Sequence, residues 1–100
     1  MSYAVVNHIE VKNDVLQVKD WYKTKQKGLE KPFANEVKST LNYLIKNPLL
    51  FQIKYKTLRT AYTEIFPYAV HYHFNEKSKT ITVLGVFYTS ISPDKWLIRL

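Results

Sequence analysis

Lys54, Lys56 and Arg59 put three positive charges and no negative one into residues 52–60, with tyrosines interleaved around them. Cations neutralise a phosphate backbone and aromatic rings stack on bases, so this set is suited to a nucleic-acid strand. A plainly solvated face would carry the same residues without any ligand, and both readings stand. Further along, His71 and His73 are two apart on a run of alternating polarity, so their rings point the same way. Two imidazoles could ligate a metal, but the chain has no cysteine and no obvious third ligand, which favours half-exposed sheet histidines and no metal.

Positioning these side chains requires a sheet. After Pro48 the pattern has period two: Phe51, Ile53 and Tyr55 oppose Gln52, Lys54 and Lys56, then come strands over 59–66, 68–75 and 80–89. Val70, Tyr72 and Phe74 face one way, with Ala69, His71 and His73 facing the other. The last strand is apolar on both sides, which predicts a place at the centre of the sheet. Ahead of Pro48 the period is helical. Val11, Val15, Val18 and Tyr22 predict a helix over about 13–26, with Asn13 or Asp14 as its cap and Gly28 as its left-handed exit. Pro32 suits the first turn of a second helix, whose stripe is Phe33, Val37, Leu41, Leu44 and Ile45, and Asn47-Pro48 ends it.

A short strand at Tyr3–Asn7 completes the order β-α-α-β-β-β-β: an α+β fold in which an antiparallel-rich twisted sheet carries an N-terminal helical hairpin on one face. On the other face this reading places Lys54, Lys56, Arg59, His71 and His73. Trp21, Tyr22 and Trp96 are expected to fix the core, and Phe66-Pro67-Tyr68 to anchor a turn.

At 100 residues the chain has room for one domain, taken as 1–100, with a core large enough to need no disulfides. The absence of cysteine excludes thiolate metal sites and thiol nucleophiles and fits a reducing cytoplasm. No segment approaches the length of a membrane span, and Met1–Glu10 lacks a signal-peptide pattern, so a soluble cytoplasmic protein without membrane contact is expected. The formal charge of +7 favours nucleic acid or an acidic protein as partner. Lys23, Lys25, Lys27 and Lys31 cluster at the hairpin turn, where they either meet such a partner or complement a helix C-terminal dipole.

Trp21-Tyr22, Gly28-Leu29, Phe33, Asn47-Pro48, Leu58-Arg59, Phe66-Pro67-Tyr68 and Pro93-x-x-Trp96, in this order and spacing, resemble the RelE/ParE toxins of type II toxin–antitoxin systems. The resemblance spans about Val11 to Trp96. It implies a small toxin neutralised by a cognate antitoxin, with operator DNA contacted only through that antitoxin and with no cofactor. RelE-like members cut mRNA on the ribosome by metal-free acid–base chemistry, whereas ParE-like members poison DNA gyrase. The resemblance therefore leaves ribosome with mRNA and gyrase both open as targets, and a detoxified relative or basic RNA-binding module is the alternative.

Carried over residue by residue, Arg59 matches a sheet arginine that stabilises the phosphate in the reaction, a role for which a charged bidentate fork is suited. Lys54 and Lys56 match basic residues of the preceding strand, and His71 is a candidate proton carrier. Many relatives read His-x-x-Arg-x-Pro where this chain has Tyr88-x-x-Ile91-x-Pro93. A phenol with an ordinary pKa near ~10 is a poor base at neutral pH, and Ile91 offers neither charge nor proton. Arg99, beyond the terminal Trp of the resemblance, could compensate.

Overall fold

The computed structural model describes residues 3–55, 57–91 and Arg99, so Lys56 and the Pro93-x-x-Trp96 signature lie outside the described residues. Strand β1 (Ala4–Asn7) leads into helix α1 (Val11–Lys25) and helix α2 (Glu30–Lys46). Strands β2 (Ile53–Tyr55), β3 (Leu58–Tyr62), β4 (Tyr68–Asn75) and β5 (Thr80–Tyr88) follow. This is the expected order of elements. The sheet runs β1-β5-β4-β3-β2, with β1 parallel to β5 and every other pairing antiparallel.

The hairpin forms where its local signals place it. Gly28 takes a φ of +94°, a conformation only glycine adopts freely, and so turns the chain between the helices. Pro32 sits in the first turn of α2, where its missing N–H costs nothing. Helix α2 buries Phe33, Val37 and Leu44 and ends ahead of Asn47-Pro48. Helix α1 begins two residues earlier than its pattern indicates. The Glu10 side chain makes no cap bond, and Asn13 and Asp14 lie inside the helix. Asp14 is not a cap, because its carboxylate is held by other groups described below.

The helices cover one face of the sheet. Tyr22 packs edge-on to Phe66 with centroids 5.3 Å apart, and Phe33 packs on both Phe66 and Tyr68. Thr63 donates its hydroxyl to the Phe66 carbonyl, so Phe66-Pro67-Tyr68 is a pinned turn, as the sequence reading expects. Tyr72 is fully buried and satisfies its hydroxyl on the Pro48 carbonyl at 2.7 Å, which meets the requirement that a buried phenol find an acceptor. Burial raises its pKa to about 12, which keeps the group neutral.

Two expectations are corrected. Trp21 is half exposed and rests edge-on against Tyr22. Standing one residue before Tyr22 of the Val11–Tyr22 stripe, it is rotated about 100° away from the core face. The central strand is β4, with β5 between it and β1. Because β2 adds outside β3, the five-strand count shifts the midpoint by one strand, although β4 and β5 are both interior and β5 is apolar for that reason.

A bulge interrupts the β4–β5 ladder: His71 pairs with Gly85 but Tyr72 with Val83, so Leu84 has no partner. Leu84 packs with fully buried Leu58 on the sheet face away from the helices, with Phe87 and Ile91 against them. That second face thus has a small apolar core of its own. Among the described residues, no helix is long and apolar enough to cross a membrane.

Candidate functional site

Residues directly opposite one another in an antiparallel pair share a face, so the register assigns each candidate to one side of the sheet. On β3, Thr60 is opposite His71 and Leu58 opposite His73, which puts these four on the second face. Lys54 joins them. It is exposed, with its ammonium 5.7 Å from the centroid of the Tyr62 ring.

Arg59 does not belong to this set. It is opposite Tyr72, on the helix-covered face, and is only partly exposed. Its Nη1 donates to the Phe51 carbonyl at 2.6 Å and thereby ties the segment after Pro48 to the sheet. The expectation of Arg59 beside Lys54 on an open face is therefore overturned. The parity of β3 is fixed by Ala61 and Leu58, both fully buried on opposite faces, and Arg59 follows Ala61. Replacing Arg59 with alanine is expected to cost about 1–2 kcal/mol, the usual worth of a charge-assisted bond discounted for exposure. Urea unfolding checks this as a lower midpoint with unchanged slope; a midpoint equal to that of the unmodified chain would show that the bond does not hold the segment.

His71 is buried, and its Nδ1 lies 3.0 Å from the Thr60 hydroxyl, with the ring tilted over Phe87. Burial lowers its pKa from 6.5 to about 4. At neutral pH the ring is neutral, so it has no imidazolium proton to give and is a weak base. Next to it on the same face, His73 Nδ1 is shielded from solvent without a hydrogen-bond partner among the described residues. No cluster of three or more metal-ligating side chains occurs among those residues.

Tyr88 is opposite Tyr68 on the helical face, ring to ring at 5.5 Å, and is half exposed. Arg59 is opposite Tyr72, four positions along β4, and β3 and β5 flank β4 on either side. Two strand spacings and four residue rises separate the two backbones by roughly 16 Å. The structure thus brings Lys54 and His71 to one face, and it leaves Arg59 and Tyr88 on the other face and far apart.

The β5 edge holds an arrangement that sequence reasoning missed. Strand β1 pairs with β5 only as far as Val83, and beyond that point no strand among the described residues borders this edge of β5. Asp14 reaches across from α1: its Oδ2 accepts from the Val86 N–H at 3.1 Å and from Arg99 Nη1 at 2.6 Å, and its Oδ1 accepts from Arg99 Nη2 at 2.9 Å. Arg99 also donates to the Leu84 carbonyl and lies over the Phe87 ring at 4.6 Å. The pair thus satisfies the Val86 N–H and the Leu84 carbonyl on that edge. Gly85 makes room for it, since a Cβ there would stand 2.8 Å from Arg99 Nη1. Tyr88, Ile91 and Arg99 line one cavity of about 270 Å³, yet the guanidinium is already neutralised by Asp14 and does not replace a free cation at Ile91.

No family model and no curated protein matches the sequence. Solved structures do match. The chromosomal ParDE system from P. aeruginosa is similar with a TM-score of 0.74 at 13% identity, covering 88% of this chain and 97% of that one. The toxin–antitoxin complex RelBE2 from Mycobacterium tuberculosis gives 0.63 at 15% identity, covering 88% and 99%. The archaeal RelE-RelB complex from Pyrococcus horikoshii gives 0.52 at 18%, covering 92% and 100%. Two helices on a five-stranded mixed sheet make the fold that this chain shares with those ParDE and RelBE structures.

Proposed function

We propose that the protein is the toxin of a type II toxin–antitoxin pair, held inactive by a cognate antitoxin, and that it acts by gripping a protein target, DNA gyrase, without cutting RNA. The fold supports the first part through nearly full-length similarity to chains from ParDE and RelBE complexes. The charge agrees with it: Arg99–Asp14 is the only ion pair among the described residues of a +7 chain, so the lysines remain available to an acidic partner.

The second part rests on one observation, the separation of Arg59 from Tyr88 on the face that the helices cover. Metal-free phosphoryl transfer needs a proton acceptor, a proton donor and charge stabilisation within reach of one reacting phosphate. Arg59 is spent on the Phe51 carbonyl, His71 is neutral at pH 7, and Ile91 contributes nothing. Gripping a partner needs none of these groups to converge. Induced expression followed by mapping of mRNA ends tests the choice. Growth arrest without new ribosome-dependent cuts is the expected result, and efficient cuts would restore the nuclease reading.

A further inference from the structure

A second surface, at the opposite sheet edge from Tyr88, is shaped for a partner of different charge. Strand β2 covers β3 only at Leu58 and Arg59 and through the Thr60 N–H, which donates to the Gln52 carbonyl. Beyond Thr60 no strand among the described residues lies beside the outer edge of β3. Helix α2 runs alongside and presents Glu36, Ser39 and Tyr43 at helical spacing. The groove between them measures about 470 Å³, with Thr40, Phe51, Tyr62 and Glu64 completing its described lining.

Its chemistry departs from the rest of the molecule. Among its described lining residues are two carboxylates and no lysine or arginine, in a chain with 15 cations against 8 acids. Arg59 lies behind Phe51 on that residue's carbonyl, and Lys54 is across the Tyr62 ring. Tyr43 and Tyr62 are each half exposed, and Ile65, whose N–H donates to Glu36 Oε1, is almost fully exposed at the rim. An unpaired strand edge, an apolar slot and local acidity occur together.

We propose that this groove docks an extended segment of a partner protein in which apolar and cationic side chains alternate. The segment adds to the β3 edge at Tyr62, sets apolar side chains against Tyr43 and Phe51 on the α2 side, and carries cations on its other face, where they meet Glu64. Lys54 and Arg59 touch the Tyr62 ring and the Phe51 carbonyl, but the charges in the described lining itself are the two carboxylates, and at physiological ionic strength lysines more than about 8 Å away are largely screened. The inference rests on the groove alone and stands or falls separately from the toxin reading.

The test uses two capped octapeptides, one alternating valine with lysine and one alternating valine with glutamate, titrated into the full chain with amide shifts recorded by NMR. The lysine peptide is expected to bind at least about tenfold more tightly, to shift Glu36, Tyr43 and Tyr62, and to protect the Tyr62 amide from exchange. Glu64→Lys is expected to abolish the preference, and Ser39→Trp, an exposed site on the groove wall, to block binding with the melt unchanged. Equal binding of the two peptides, preference for the glutamate peptide, no binding at millimolar peptide, or binding indifferent to both substitutions would each overturn the proposal.

Discussion

Replacing Asp14 with alanine is expected to cost the fold about 3 kcal/mol, more than any single exposed substitution should. The carboxylate is largely buried and serves three donors at once, the Val86 N–H and both Arg99 nitrogens. Its removal leaves a backbone N–H and a shielded guanidinium without their acceptor, and breaking one side of a buried pair typically costs 3–5 kcal/mol. The lower end applies because each side chain retains some solvent contact. Arg99→Ala should cost less, since Asp14 keeps the Val86 bond. In a double-mutant cycle the two costs should fall well short of adding. Additive losses would show that the two side chains act independently and that the pair does not close the β5 edge.

The second large effect concerns pH. His71 has a folded pKa of about 4 against 6.5 when free, because burial disfavours its charged form. Between these values the unfolded chain binds a proton that the folded chain does not, so stability rises with pH across that window. The full contribution, on the order of 3 kcal/mol for a shift of this size, is present above pH 6.5 and is lost as pH falls toward 4. Carboxylates titrate in part of the same range, so the comparison is with His71→Phe, which lacks the titrating ring. Urea midpoints for the unmodified chain should fall more steeply between pH 6.5 and 4 than those of the variant. Parallel curves would show that the imidazole is as easily protonated folded as unfolded.

Much of the architecture was legible because its signals are local. The period change at Pro48, the glycine at a left-handed turn and the alternation through Val70–Phe74 each depend on residues a few positions apart. The faces of β3 were not legible, since both parities mix polar and apolar residues: Arg59, Ala61 and Thr63 on one side, Leu58, Thr60 and Tyr62 on the other. Charge then argued for placing Arg59 outside, and only its pairing with Tyr72 shows the opposite. Asp14 looked like a helix cap because aspartate at a helix start commonly is one. Its true partner is 85 positions away, and no local pattern joins them.

The same pairing that turns Arg59 inward changes the functional reading. A set of cations that looked like one catalytic surface divides into a lysine over Tyr62 on one face and a structural arginine on the other. What remains is a chain of net charge +7 on the fold shared with the ParDE and RelBE structures, with its described cations on more than one face.

The most direct measurement is supercoiling of relaxed plasmid by purified DNA gyrase in the presence of the purified protein. Supercoiling is expected to fall with increasing protein and to recover when the cognate antitoxin is added. Undiminished supercoiling at a large molar excess of folded protein would contradict the gyrase reading.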